Sequence, residues 1–328
     1  MRKKIVNGVY PTMLTPFRED LSIDFETLDK LIEWYIQKGV DGLFAVCQSS
    51  AMFELSRNER KELCKKTVEI TAGRYPVMAS GHVSDTLSDQ VLDLNDMVEA
   101  GADALVLVSN RLAAQWESDS VWLKNLEKLM KSLPEDILLG FYECPYPYKR
   151  LLSIDVIREL VSMKRFEFVK DTCCEPQMIA ERAAVAKGTP LKFFNANAAT
   201  LLYSMKEGYA GYSGIMTNFH SDLYYKLCKD WPIMGDRADE LQNYLGMASV
   251  IENQFYPANA RYSLMKEGVL SNTVSRRQDA RLRQMTTSQE WEIDQFYALS
   301  NEMSARFSID RTPVPAVLYS RDICSKRN

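Results

Sequence analysis

The chain of 328 residues is 46% hydrophobic and 26% charged, the composition of a globular protein with a sizeable core. Its formal net charge is −4 at pH 7 and it has no dense block of lysine and arginine, so we expect no nucleic-acid partner. No apolar run is long enough to cross a bilayer, which argues against a membrane partner. The start, MRKKIVNGVYPTML, has no signal-peptide pattern, and we expect a cytoplasmic protein.

The cysteines and histidines give little support for a disulfide framework or a metal site. The seven cysteines are scattered and have no CxxC spacing, which favours reduced, mostly buried thiols. The two histidines, His82 and His220, stand far apart in the sequence. A zinc site would need several such ligands at close spacing, so we predict no metal.

Eight apolar segments with the character of strands alternate with helical segments. They cover residues 8–17, 41–47, 75–82, 102–109, 136–144, 166–171, 191–196 and 210–216. Eight strand–helix units in about 230 residues predict an α/β fold with a closed parallel (β/α)8 TIM barrel, whose strands are buried on both faces. An open doubly wound sheet is the alternative, although no GxGxxG turn follows the first strand.

Helical spacing and capping residues mark the connecting segments. Residues 24–39 carry apolar side chains three and four positions apart and end at Gly39, which predicts an amphipathic helix. Ser56, Ser84 and Ser153 are predicted helix N-caps.

Strand signals stop near residue 235. We therefore predict a barrel with the active site over residues 1–234 and a C-terminal helical region over residues 235–328 that packs on the barrel. No linker-like composition separates the two parts, so we expect them to fold as a unit.

In such a barrel the chemistry lies at the C-terminal ends of the strands. The polar candidates at those ends are Gln48, Ser49, Ser50, Tyr142, Lys170, Asn197 and Ser213. Lys170 is an amine on an apolar strand, and burial would lower its pKa and leave neutral amine to attack a carbonyl. Residue type alone also allows an ordinary charged strand-end lysine, a core aromatic at Tyr142 and a simple turn at the two serines.

A set of motifs in fixed order bears on these alternatives. They are PTMLTPF (11–17), LSRNERKEL (55–63), AGADALVLV (100–108), GFYECP (140–145), FEFVKD (166–171), GYAGYSGIMTN (208–218) and YPANARYSLMKEGV (256–269). Through them the chain resembles the dihydrodipicolinate synthase and N-acetylneuraminate lyase superfamily, which are pyruvate-handling class I aldolases built on a (β/α) barrel.

The resemblance implies roles for particular residues. Lys170 matches the lysine that forms a Schiff base with a 2-oxo acid, so no cofactor is needed beyond that covalent imine. Tyr142 matches the tyrosine that moves protons at the same carbon. Gln48, Ser49 and Ser50 occupy the loop that holds the substrate carboxylate in the family, and Asn197 and Ser213 are further predicted substrate-binding residues.

Departures from the family pattern narrow the expected activity. Gln48 stands where synthases have a relay threonine, and Ala51 replaces a glutamate. Ala198 and Ala199 stand where sialic-acid lyases have acidic sugar-binding residues. A true synthase and a sialic-acid lyase are therefore both disfavoured.

We predict a lyase or aldolase that acts on a 2-oxo acid, with pyruvate and an aldehyde as its small-molecule partners. A sugar-acid dehydratase and a barrel that binds a carbonyl metabolite without turnover are the alternatives. The resemblance also implies a homodimer or homotetramer. Trp116, Tyr146 and Tyr148 are candidates either for binding an aromatic partner or for packing an interface.

Overall fold

Residues 2–277 and 285–309 are described by the computed structural model, and within them eight strands form one parallel sheet. The strands are β1 (Gly8–Val9), β2 (Leu43–Ala45), β3 (Val77–Ala79), β4 (Ala104–Val108), β5 (Leu138–Tyr142), β6 (Phe166–Asp171), β7 (Lys192–Asn195) and β8 (Gly211–Tyr212). Each lies inside one of the eight segments predicted from the sequence. Their spatial order is β1-β8-β7-β6-β5-β4-β3-β2.

The two ends of this sheet meet just beyond β1. Thr12 forms a parallel bridge with Phe44 of β2, and the Phe44 and Met13 amides donate to Pro11 and Phe44 carbonyls at 3.1 Å each. This contact closes the sheet into a (β/α)8 barrel, as predicted. The strands are buried almost throughout, which explains why they appear in the sequence as near-continuous apolar runs.

Helices follow the strands around the barrel. They are α1 (Phe25–Lys38), α2 (Arg57–Thr71), α3 (Leu87–Glu99), α4 (Asp119–Met130), α5 (Ile154–Met163), α6 (Pro176–Ala186), α7 (Leu201–Glu207) and α8 (Thr217–Met234). Ser56 and Ser153 cap α2 and α5 as predicted, and Gly39 ends α1 with a φ of 88°. The predicted cap at Ser84 is wrong, because Thr86 accepts the Asp89 amide and α3 starts two residues later.

Further helices follow α8 and lie against the barrel. They are α9 (Asp236–Ala248), α10 (Ala258–Lys266) and α11 (Thr287–Arg306), with a short 3-10 helix at Ser249–Asn253. Gln242 of α9 donates to the Ala198 carbonyl at 2.8 Å and accepts the Leu202 amide at 2.8 Å, which ties α9 to the start of α7. None of the helices in the described ranges has the length and apolar character needed to span a membrane.

Aromatic side chains fill the barrel interior below the C-terminal strand ends. Phe168 stacks on Phe194 at 4.7 Å between ring centroids, and Phe44 and Tyr10 meet Phe168 edge-on at 6.1 and 5.8 Å. Because side chains alternate across a strand, Lys170 points to the same interior face as Phe168. Lys170 therefore lies directly above this packed aromatic cluster, the apolar floor of the cavity.

Candidate active site

Lys170 lies at the C-terminal end of β6 with only 4% of its surface exposed. Burial lowers the pKa of Lys170 from its ordinary value of 10.5 to about 8, while the Cys47 and Cys144 thiols and Glu252 oppose that change. Since part of the amine is then neutral near pH 7, Lys170 has the property that a carbonyl-attacking lysine needs.

Tyr142 stands directly beside the lysine. The two residues are register partners on β5 and β6, and the Lys170 Nζ atom lies 4.5 Å from the centre of the Tyr142 ring. The Tyr142 hydroxyl donates to Gln48 Oε1 at 2.9 Å. Burial raises the pKa of Tyr142 well above 10, so its resting form is the protonated phenol.

The loop after β2 brings Gln48 and Ser49 to the cavity but turns Ser50 away. The Ser50 hydroxyl donates to the Met13 carbonyl at 2.7 Å, and the Ser50 amide to the Cys47 carbonyl at 3.0 Å. Val46 opens the loop with a φ of 49°, a strained conformation for a β-branched residue. Backbone strain of this kind is found most often in loops that form functional sites.

Tyr256 enters the cavity from the segment before α10, and nothing in the strand pattern indicated it. Its hydroxyl donates to Ser49 Oγ at 2.8 Å and accepts a hydrogen bond from Asn218 Nδ2 at 3.1 Å. Tyr35 in turn donates to Asn218 Oδ1. This buried chain of hydrogen bonds fixes the orientation of the Ser49 hydroxyl. In the sequence, Tyr256 could have been found only through the motif YPANARYSLMKEGV (256–269), which it begins.

These residues surround one cavity of about 290 Å³. Its lining consists of Gln48, Ser49, Tyr142, Pro145, Lys149, Lys170, Thr172, Cys174, Ala196, Asn197, Gly214, Ile215, Glu252, Tyr256 and Arg277. In the described part of the chain, three cationic side chains and one carboxylate line it. The cavity therefore favours an anionic ligand.

Two further predicted residues, Asn197 and Ser213, differ in their placement. Asn197 lines the cavity, although its Oδ1 accepts the Thr200 amide at 3.1 Å. Ser213 is fully buried and donates to the Tyr10 carbonyl at 2.9 Å, outside the cavity lining. Ser213, like Ser50, therefore holds the barrel framework together.

Both histidines lie away from the cavity. His82 is buried and its Nδ1 accepts the Val108 amide at 3.0 Å, and burial lowers the pKa of His82 to about 4. His220 packs beside Ser300 of α11. Within residues 2–277 and 285–309, no group of three His, Cys, Asp or Glu side chains is arranged to hold a metal ion.

A buried ion cluster supports the ends of β5 and β6 from outside the barrel. Arg182 of α6 donates to both Glu143 oxygens at 3.1 and 2.8 Å and pairs with Asp171 at 2.8 Å. Glu143 and Asp171 directly follow Tyr142 and Lys170 in the chain. Asp171 also accepts a hydrogen bond from Tyr209. The cluster thus fixes the backbone that carries the two central side chains.

Comparison with known proteins assigns this chain to a protein family. The model of the dihydrodipicolinate synthetase family matches residues 5–290. The chain belongs to this family. The predicted family resemblance is therefore confirmed, and it places the chain among lyases.

Two relatives illustrate the range of this family. A 4-hydroxy-tetrahydrodipicolinate synthase of Bradyrhizobium diazoefficiens is 24% identical over 271 residues, covering 81% of this chain and 88% of the relative. An uncharacterized DapA-like lyase of Pyrococcus horikoshii is 32% identical over 157 residues. That match spans 47% of this chain and about half, 51%, of the relative.

Solved structures share the fold at low identity. The 4-hydroxy-tetrahydrodipicolinate synthase of Methylacidiphilum fumariolicum SolV superposes with a TM-score of 0.79 at 18% identity, over 93% of this chain and 99% of that one. YagE of Escherichia coli K12, a family member solved in complex with pyruvate, gives the same score, identity and coverage. These superpositions support the barrel architecture.

Proposed function

We propose that this protein is a class I aldolase or lyase in which Lys170 forms a Schiff base with a 2-oxo acid. The observation that carries the proposal is a buried lysine with a pKa of about 8, set 4.5 Å above the Tyr142 ring in a cavity that favours anions. At pH 7 about a tenth of such an amine is neutral, several hundredfold more than for an exposed lysine.

The covalent step uses the neutral amine. Lys170 Nζ attacks the ketone carbon of the 2-oxo acid, the oxygen takes up a proton, and a carbinolamine forms. Loss of water from the carbinolamine gives a protonated imine. That cation accepts electron density when the neighbouring C–C bond breaks or forms, so neither a metal nor an organic cofactor is required.

Ser49 and its surroundings are suited to hold the substrate carboxylate. The Ser49 hydroxyl is oriented by Tyr256, and it can donate a hydrogen bond to an anion while it accepts the one from Tyr256. Gln48 and Ser49 open a 3-10 helix, whose first N–H groups have no acceptor within the helix. Arg277 and Lys149 add positive charge to the cavity lining.

Tyr142 is the group placed to move protons at the imine carbon. As a phenol beside Lys170 it can protonate the departing carbinolamine oxygen. The positive charge of the imine then favours the phenolate, which can take the proton from a 4-hydroxyl during cleavage. Gln48, its hydrogen-bond partner, is an amide and does not relay protons as a hydroxyl does, which favours a lyase over the synthase relay.

Pyruvate is the simplest 2-oxo acid for a first test, and YagE, which shares the fold, binds it. A sugar-acid dehydratase would use the same imine and differ in the bond that breaks. A carbonyl-binding barrel without turnover would form the imine and release the substrate unchanged. We propose that the protein is cytoplasmic and forms a homodimer or homotetramer. A monomeric synthase variant also shares this fold, so light scattering should be used to measure the oligomeric state.

Borohydride reduction with pyruvate, read by intact mass and peptide mapping, tests the proposal. We expect one reduced pyruvate adduct per chain, located on Lys170 and absent from Lys170→Ala. Lys149→Ala is the matched control, because Lys149 lines the same cavity and its loss should leave the adduct on Lys170. An adduct spread over several lysines, or none at saturating pyruvate, would refute the assignment.

A further inference from the structure

Glu252 is a carboxylate in the cavity that the imine chemistry above does not use. It belongs to the 3-10 helix Ser249–Asn253 and lines the same cavity as Lys170. Its Oε2 atom is buried, and no residue in the described ranges donates a hydrogen bond to it. A buried carboxylate oxygen without a donor keeps its desolvation penalty uncompensated. A small rotation of the side chain that brings this oxygen to a donor group of a ligand in the cavity would remove that penalty.

Hydrogen bonds from Asn259 of α10 hold the segment that carries Glu252. Asn259 Nδ2 donates to the Ile251 carbonyl at 2.8 Å and also to the Gln254 carbonyl. The Gln254 amide returns to the Ile251 carbonyl at 3.1 Å, and Phe255 adopts a φ of 53°. The backbone on both sides of Glu252 is therefore held, which keeps this residue at the wall of the cavity.

Glu252 lies on the β8 side of the cavity. Burial raises the pKa of Tyr212 on β8 and of Tyr224 on α8, and the nearby Glu252 charge contributes to both shifts. Ser49 and Tyr256 mark the β2 side instead, where the substrate carboxylate is proposed to bind. In the closed barrel β2 and β8 both neighbour β1, and Lys170 on β6 is four strands from β2. Because like charges repel, the carboxylate of a bound 2-oxo acid favours the Ser49 side over Glu252, which leaves Glu252 for the rest of the substrate.

We propose that Glu252 binds the part of the substrate beyond the ketone by accepting a hydrogen bond from a hydroxyl or ammonium group there. The inference rests on the proposed function, because the imine at Lys170 fixes where that part begins. Pyruvate fills only a part of a cavity of about 290 Å³, which leaves room for a longer substrate. Trp116, Tyr146 and Tyr148, the predicted candidates for binding an aromatic partner, are outside the lining.

The test compares two six-carbon 2-oxo acids by borohydride trapping. One carries hydroxyls at carbons 4, 5 and 6, and the other is 2-oxohexanoate, which has the same chain without them. The readout is the ratio of their half-saturating concentrations for trapping on Lys170, where the reduced adduct of the intact acid and that of pyruvate released by cleavage are counted together. Burial raises the pKa of Glu252 to about 7, so the comparison is made at pH 8.5, where its carboxyl group is mostly ionised. At that pH we expect the native protein to favour the hydroxylated acid by about tenfold to a hundredfold, the range for a hydrogen bond to a charged group.

Variants of Glu252 identify the acceptor. Glu252→Leu removes it and should bring the ratio close to one, whereas Glu252→Gln keeps an amide oxygen and should keep part of the preference. Because the ratio is taken within one variant, a general change in Lys170 reactivity cancels. Glu159→Leu, an exposed glutamate of α5, is the control and should keep the native ratio.

The outcomes separate the two proposals. Trapping on Lys170 with no preference in the native protein, or a preference that survives in Glu252→Leu, overturns the role of Glu252 and leaves the Schiff base intact. No trapping of pyruvate or of either longer acid by the native protein overturns the proposed function itself. Circular dichroism and the unfolding midpoint of each variant show whether it is folded.

Discussion

Replacing Lys170 by methionine should stabilise the protein while it abolishes imine formation. The pKa of Lys170 falls from 10.5 to about 8 on folding, so between these values the unfolded chain binds more protons than the folded one. Stability therefore rises with pH across that window, and the penalty is fully present below pH 8. A shift of this size corresponds to about 3 kcal/mol at pH 7 and roughly half of that at pH 9.5.

Methionine matches the length of the apolar part of lysine and carries no charge. The contact of the Lys170 ammonium with the Tyr142 ring favours the charged form, so it acts through the pKa of Lys170 and needs no separate correction. Any difference in packing between methionine and the neutral lysine is the same at both pH values. The decisive quantity is thus the change with pH. Urea unfolding of native and Lys170→Met protein at pH 7 and 9.5 measures it, with exposed Lys149→Met as the control.

The advantage of Lys170→Met over the native protein should shrink by more than about 1 kcal/mol between pH 7 and 9.5. A difference that is the same at both pH values would refute the argument that folding depresses this pKa. Lys149→Met controls for the substitution of a lysine by methionine at an exposed position of the same cavity.

Other predictions concern reactivity, the supporting ion cluster and the loop after β2. Trapping of pyruvate by borohydride should rise about tenfold per pH unit below pH 8 and level off above it, as the amine of Lys170 loses its proton; a rise that continues to pH 10 would contradict the lowered pKa. Arg182→Met should lower the free energy of unfolding by about 3 to 5 kcal/mol in urea titrations, because two buried carboxylates lose their partner. Exposed Arg158→Met is its control, expected below about 1 kcal/mol, and equal losses would contradict the burial argument. Ser49→Ala should raise the half-saturating pyruvate concentration at least about fivefold in the trapping assay. Ser50→Ala should instead lower stability by about 1 kcal/mol, and a larger effect on pyruvate than that of Ser49→Ala would reverse the assignment of the two hydroxyls.

The barrel could be predicted from sequence because its strands are short apolar runs in regular alternation with helices. Hydrophobic periodicity carries that information directly, and Ser56 and Ser153 cap the helices that follow them. Ser84 was a wrong cap because Thr86, two residues on, offers an equivalent hydroxyl and the local sequence does not rank the two. The eight strand positions needed no knowledge of distant contacts.

The candidate site was only partly predictable, and the reason lies in how side chains point. Lys170, Tyr142, Gln48 and Ser49 were chosen for their places at strand ends, and they line one cavity. It could not show that the neighbouring Ser50 hydroxyl turns back to a backbone carbonyl. Ser49 and Ser50 lie in one 3-10 helix, where a step of one residue rotates the side-chain direction by about a third of a turn without changing the residue type.

Tyr256 and Glu252 show why the C-terminal region belongs to the proposed chemistry. Both come from the segment between α9 and α10, yet one orients Ser49 and the other faces the cavity near Lys170. Neither could be found by inspecting strand ends, since their approach depends on how α9 docks on α7 through Gln242. Variation in that docked segment would change which substrates fit while the lysine and its apolar floor stay the same. The segment between α9 and α10 would then set the choice of substrate, while Lys170 on β6 would carry out the imine chemistry. The trapping ratio of the two six-carbon acids, measured in the native protein and in the Glu252 variants, tests this division.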